Sequence, residues 1–199
     1  MTLAELSLYN GHDPSLPLYL ALNHTIYDVS PSPHHYGPGS TYHAFTGRDG
    51  ARAFVSGCFG IDLTAAQLNM EVVGDLEGVE RVFVPFGTPE EDELDDLVGR
   101  GREEERWGTR AEERLGISAE EAERVRGVWS EARSRVLEDV NGWEAMLSAK
   151  YEVIGRVVGW ERELSRGVGG RGVCDRAEKG RTGYAEAEGT GKGVGRKSV

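Results

Sequence analysis

The residues of this 199-residue chain whose types could do chemistry are five histidines, two cysteines and seven tyrosines, and most of them fall in its first third. All five histidines, His12, His24, His34, His35 and His43, lie within the first 43 residues, and the pair His34-His35 invites a metal or haem reading. Adjacent residues on a loop point apart, and no Cys/Asp/Glu spacing completes a zinc set, so these histidines read as structural or solvent-facing and no metal site is built from them. Cys58 and Cys174 stand 116 positions apart with no C-x-x-C, which indicates neither a disulfide framework nor a metal knuckle. No G-x-S-x-G elbow is present, and no histidine follows Cys58 to complete a dyad. Gly37-Pro38-Gly39 lacks the Lys-Ser/Thr of a phosphate loop, and no acid–base pair can be singled out from 34 acids. No enzymatic constellation emerges. What remains is phenol chemistry at Tyr36 and Tyr42, on loops where a tyrosine commonly packs its ring and leaves its hydroxyl wet.

The elements that must position these residues are short and separated by turn chemistry. Ala4 to Tyr9 has helical spacing stopped by Asn10-Gly11, and Leu18–Leu22 and Thr25–Val29 read as strands around an Asn23-His24 turn. Three prolines and two glycines between Pro31 and Gly39 preclude a long helix, and helical spacing resumes over Arg48–Ser56 between Gly47 and Gly57. Asp49 opens that helix, with Arg48 expected to pair with Asp49 or with the acidic segment further on. A Val/Phe-rich piece, Val79–Phe86, precedes EEDELDDL at 90–97 and REEER at 102–106, a charge density expected of a solvated helix or a disordered insert. Ser118 and Glu121 form a capping box, after which Val125, Trp129, Val136, Val140, Trp143 and Leu147 recur at spacings of 4, 7, 4, 3 and 4 and so share one helical face. Gly127 and Gly142 interrupt that face at about 1 kcal/mol each relative to Ala, which makes either a candidate break. Tyr151–Val158 returns to strand-like composition and would close the domain.

Composition sets the outer limits. Hydrophobic residues, glycine not counted, are 38% of the chain against the roughly 45–50% of an average soluble domain with glycine counted, and its 28 glycines are about twice the usual share. From Ser165 to Val199 there are 10 glycines and one aromatic residue, too little apolar surface to offset ordering entropy, so the tail at 161–199 is expected to be disordered. That stretch carries 8 basic and 4 acidic residues, +4, which leaves −15 on residues 1–164 for a total of −11. An acidic surface repels a phosphate backbone, which disfavours a nucleic-acid partner. The longest apolar run near the start, Leu16–Leu22, is far short of the roughly 20 residues a membrane span needs, and Met1–Glu5 has no basic n-region.

Several strings occur together and in order: ELSLYNG (Glu5–Gly11), DPSLPLYLAL (Asp13–Leu22), IYDVS (Ile26–Ser30), HYGPGSTY (His35–Tyr42), FTGRDGAR (Phe45–Arg52) and a closing segment from Trp143 to Arg156. In this the chain resembles the membrane-associated progesterone receptor family, a branch of the cytochrome b5-like haem/steroid-binding domains, and among its branches the neuferricin-type members. The resemblance covers about Leu3 to Val158 with an insert at about 76–117. Any one string is common, but their order is specific. Thr46 and Gly50 replace alanines of the familiar F-A-G-R-D-A, with little consequence for ligation.

The resemblance implies an α+β, cytochrome b5-like domain over residues 1–160 that binds haem b. Ordinary cytochromes b5 use two histidines, one in an H-P-G-G loop. Here the loop reads Y-G-P-G and no histidine follows His43, so the two-histidine site is not expected. The family pattern instead places the iron ligand at Tyr42, with Tyr36, Lys150 and Tyr151 around the haem. A phenol of ordinary pKa about 10 must ionise to bind iron, and Fe(III) with a nearby ammonium favours the anion. The implied function is that of a non-enzymatic haem carrier, or a partner of haem-thiolate monooxygenases in sterol metabolism, endomembrane-associated or cytoplasmic, with room for a homodimer through an exposed haem face. Many members carry an N-terminal anchor, whereas this chain starts at the first domain helix, so it is expected to be a soluble member or part of a longer gene product. The alternatives are a haem-free module whose acidic helix binds a protein partner, or a steroid- or lipid-binding domain using the same pocket.

Overall fold

In a computed structural model of the protein, the described residues are 1–58, 76, 79–84, 118–159 and 175–181. Helix α1 (Leu3–Leu6) starts at a reciprocal cap: Thr2 Oγ1 accepts from the Glu5 N–H at 3.2 Å, and Glu5 Oε2 accepts from the Thr2 N–H at 2.7 Å. A 3-10 turn over Ser7–Tyr9 then ends at Asn10. Strands β1 (Tyr19–Leu22) and β2 (Thr25–Asp28) form an antiparallel hairpin in which Leu22 faces Thr25 and Tyr19 faces Asp28. The connecting residues Asn23 and His24 both have positive φ, 48° and 68°, the backbone a two-residue hairpin needs to match strand twist. Strand β3 (Glu152–Arg156) adds antiparallel to β2, from Thr25 opposite Arg156 to Asp28 opposite Glu152, with a bulge opposite Ile26 and Tyr27. Helix α2 (Pro33–Tyr36) is a single turn, and α3 (Ala51–Ser56) ends on Gly57, whose φ of 70° is the left-handed cap glycine tolerates. This is the α+β architecture the sequence implies.

Helix α4 (Ala119–Lys150) is continuous through Gly127 and Gly142, so neither glycine breaks it. The Ser118 cap is formed, with the Glu121 N–H donating to Ser118 Oγ at 3.2 Å. The apolar face explains the continuity. Val125, Val136, Val140 and Leu147 are buried, and burying one such side chain is worth about 1.5–3 kcal/mol, more than a glycine costs.

The chain divides into two compact units, and the division falls inside α4 between Arg135 and Val136. The first, residues 1–76 and 136–170, contains the sheet, α1 to α3 and the second half of α4. Leu18, Leu20, Leu22, Tyr27, Val29, Tyr36, Phe45, Phe54, Leu147 and Tyr151 form its main core, and Leu6, Ala21, Ile26 and Val157 pack separately. In the second unit a 3-10 turn over Val79–Phe83 brings Val84 against Ala132, with Phe83, Val128 and Trp129 around them. Buried Glu80 pairs with Arg133 there.

Two expectations need correction. Part of the stretch read as a disordered tail is ordered: α5 (Asp175–Lys179) buries Ala177, and buried Arg181 donates from Nε to the Val84 carbonyl at 3.0 Å. A tertiary acceptor for an arginine leaves no trace in local composition. Cys58 is buried and disulfide-bonded, although the spacing of the cysteines suggested no such bond. The acidic runs at 90–97 and 102–106 lie outside the described residues.

Candidate functional site

Four residues were expected at the site, and the first unit brings all four together from two stretches more than 100 positions apart. Tyr36 is the last residue of α2 rather than a loop residue, because Pro33 at the first position of that turn presets a helical φ. Its ring is buried, and its N–H donates to the Ser32 carbonyl at 3.2 Å. Tyr42 precedes a 3-10 turn over His43–Phe45; it is half-buried, and its N–H donates to the His35 carbonyl at 3.0 Å. Tyr151 follows directly on α4 and is buried, while neighbouring Lys150, the last residue of that helix, is exposed with its Nζ 5.2 Å from the Tyr151 ring centroid.

The rings form a continuous aromatic surface. Tyr36 lies 6.0 Å from Tyr42 and 5.8 Å, edge to face, from Tyr151. Tyr42 continues to Phe45 at 6.2 Å, Phe45 to Phe54 at 5.1 Å, and Phe54 to Trp143 of α4 at 4.9 Å. These are the separations at which tilted and edge-to-face pairs attract. Gly50 permits part of this packing, since a Cβ there would come within 3.1 Å of the Phe54 ring.

The phenols are electrostatically unequal. Burial, reinforced by Tyr151 and Tyr42, pushes the Tyr36 phenol well above its ordinary value of 10.0. Burial acts on Tyr151 in the same direction, but hydrogen bonds with Ser32, Lys150 and Tyr36 and the Lys150 charge outweigh it and bring Tyr151 below that value. The Tyr151 hydroxyl donates to Ser32 Oγ at 3.0 Å. Tyr36 is therefore fitted to remain a neutral donor, and Tyr151 to share a more acidic proton.

The histidines serve other ends. His24 Nδ1 donates to Asp49 at 3.1 Å, His43 Nε2 donates to the Asn10 carbonyl at 2.8 Å, and His12 Nδ1 lies 2.9 Å from Asn10 Oδ1. His34 and His35 are exposed. Asp49 is fully buried, and of the two partners expected for Arg48 it is not the one taken: it accepts from the backbone N–H groups of Asn23, His24 and Ala51 at 3.2, 2.7 and 3.1 Å, as well as from the His24 ring, while the acidic segment, the other expected partner, lies outside the described residues. Sequence reasoning missed Ser32 as well. Ser before Pro is a helix-cap signal, which would have flagged the position but not its contact with a residue 119 positions away.

Comparison with known proteins gives the arrangement a context. Residues 2–77 match the family described as "Cytochrome b5-like Heme/Steroid binding domain". Neuferricin of Danio rerio is 47% identical over 72 residues, 36% of this chain and 26% of that protein. Membrane-associated progesterone-binding protein 4 of Arabidopsis thaliana is 51% identical over 55 residues, 28% of this chain and 22% of that protein. The matched stretch thus spans about a quarter of the length of these curated relatives. A solved structure from Arabidopsis thaliana described as having a cytochrome b5 like fold is 23% identical, covering 80% of this chain and 90% of that one, with a TM-score of 0.43. Residues 2–77, which carry Tyr36, Tyr42 and the sheet's hairpin, are thus similar to the cytochrome b5-like heme/steroid binding domain and, over part of their length, to neuferricin and to membrane-associated progesterone-binding protein 4.

Proposed function

We propose that the domain is a non-enzymatic binder of ferric haem b, with the phenolate of Tyr42 as iron ligand and Tyr36, Lys150 and Tyr151 as the polar groups around it. The observation that carries this reading is the convergence of Tyr36, Tyr42 and Tyr151 on one aromatic surface, with an exposed ammonium at Lys150. The donor set fits the group: a half-buried phenol for the metal, ring faces for a flat macrocycle, and a cation for its carboxylates. Ferric haem would supply a Lewis-acidic iron, which the Tyr42 phenolate would hold. Tyr42 suits that role better than its neighbours. Burial favours the neutral form of Tyr36, and the Tyr151 hydroxyl is engaged with Ser32. Tyr36 then acts as a hydrogen-bond donor, Tyr151 as a more acidic donor, and Lys150 as a counter-charge that solvent can reach.

On this reading the protein carries haem, or serves haem-thiolate monooxygenases, as its resemblance to the progesterone-receptor family implies. Its place is endomembrane-associated or cytoplasmic; among the described residues no helix is long and apolar enough to cross a membrane. The test is an absorbance titration with ferric haem on the purified chain and on Tyr42→Phe. A saturable Soret shift in the parent that the variant loses supports the reading. Full binding by the variant contradicts the ligand, and no shift in the parent contradicts haem binding and directs attention to steroid or protein partners.

A further inference from the structure

We infer that Ser32 is a positioning residue for the tyrosine cluster, holding Tyr36 through its backbone carbonyl and Tyr151 through its side-chain hydroxyl, so that one residue sets the geometry of both phenols. The inference deepens the haem reading and rests on it for its functional consequence. Ser32 occupies the N-cap position of α2, where a serine hydroxyl ordinarily accepts from the second or third N–H of the helix. Here it makes no such bond. It accepts instead from the Tyr151 hydroxyl at 3.0 Å, across 119 positions of sequence. The capping work falls to the Ser32 carbonyl, which receives the N–H groups of His35 and Tyr36 at 3.0 and 3.2 Å. The one-turn helix bearing Tyr36 is therefore anchored at the atom group that also holds Tyr151.

The direction of this bond matters. With Ser32 Oγ as acceptor, the Tyr151 hydroxyl points its proton at Ser32 and leaves its lone pairs toward Tyr36, which remains a donor. When Tyr151 ionises, the Ser32 hydroxyl turns to donate to the phenolate, and this bond heads the causes that lower Tyr151. Removing the hydroxyl frees the Tyr151 O–H to turn, and the two buried phenols lose their fixed order of donor and acceptor. A helix cap alone would have no such effect.

The experiment is a double-mutant cycle read by the ultraviolet absorbance of tyrosinate in the haem-free protein across alkaline pH, using Ser32→Ala, Ser32→Thr, Tyr151→Phe and Ser32→Ala/Tyr151→Phe. Ser32→Ala is expected to move the lowest tyrosine midpoint upward, Ser32→Thr to restore it, and Ser32→Ala to have no effect on the remaining tyrosines once Tyr151 is Phe. In a parallel titration with ferric haem, Ser32→Ala weakens binding about fivefold, the loss of one ordinary hydrogen bond. An unchanged midpoint in Ser32→Ala, or the same change in the Tyr151→Phe background, overturns the inference and leaves Ser32 a helix cap. If the parent binds no haem, the function proposed above fails while the haem-free cycle still decides Ser32.

Discussion

Two polar regions of the first unit, both built on the hairpin and its neighbours, use buried groups in opposite ways. At the junction of the hairpin and α3, the buried Asp49 carboxylate accepts from three backbone N–H groups and from the His24 ring. Its bonds are spent on the backbone: they hold Asn23 and His24 in a left-handed turn costly for non-glycine residues and set the first turn of α3. In the tyrosine cluster the polar atoms belong to side chains, their partners are other side chains, and two phenols are moved from their ordinary proton affinity in opposite directions, Tyr36 upward by burial and Tyr151 downward by its hydrogen bonds and the Lys150 charge. The first region stores stability and the second stores chemistry. A group whose bonds go mostly to the main chain can be changed only at the expense of the fold, whereas a phenol held by a serine and a neighbouring tyrosine keeps an oxygen to offer.

Substitution can break the comparison from either side. The largest effect expected is from Asp49→Ala, which leaves buried N–H donors unpaired and should lower unfolding stability by about 3 kcal/mol or more, measured by urea denaturation. Leu147→Ala, in the same core cluster as Tyr151, should cost about 2–5 kcal/mol in the same assay and tests whether α4 anchors the tyrosine cluster. Tyr42→Phe should change stability by less than about 1 kcal/mol yet abolish haem binding; a large loss of stability would move Tyr42 into the structural class.

The pH dependence sharpens the contrast with its sign. Tyr36 holds its proton more tightly in the folded state, so the unfolded chain ionises first as pH rises past 10.0, and the stability Tyr36 confers is present below that pH and lost above it. Tyr151, depressed in the folded state, contributes the reverse slope just below the same pH. Tyr36→Phe should flatten the alkaline loss, and Tyr151→Phe should not, in unfolding curves collected at successive pH values. The smallest effect belongs to exposed Gly142, where an added Cβ would meet nothing within 4 Å: Gly142→Ala should stabilise α4 by about 0.5–1 kcal/mol and leave haem binding unaltered.

Much of the fold was legible because its signals are local. The Asn23-His24 turn, the Ser118 cap and the stripe from Val125 to Leu147 each state their structure within a few residues. The continuity of α4 was harder to read, since propensity scores Gly127 and Gly142 without the burial that overrides them. The tyrosines of the site were reached through the order of motifs, and their convergence is long-range. Nothing within ten residues of Ser32 announces Tyr151, and nothing near Asp49 announces His24. These contacts, like that of Arg181 with Val84, belong to the folded chain, and a periodicity argument has no access to them.

The most direct measurement of the central claim is the optical spectrum of the ferric haem complex in three proteins: the parent, Tyr42→Phe and Tyr36→Phe. A high-spin charge-transfer band is expected in the parent and in Tyr36→Phe, and its loss in Tyr42→Phe. A band that survives in Tyr42→Phe, or vanishes with Tyr36→Phe alone, would contradict the division of labour between the two phenols.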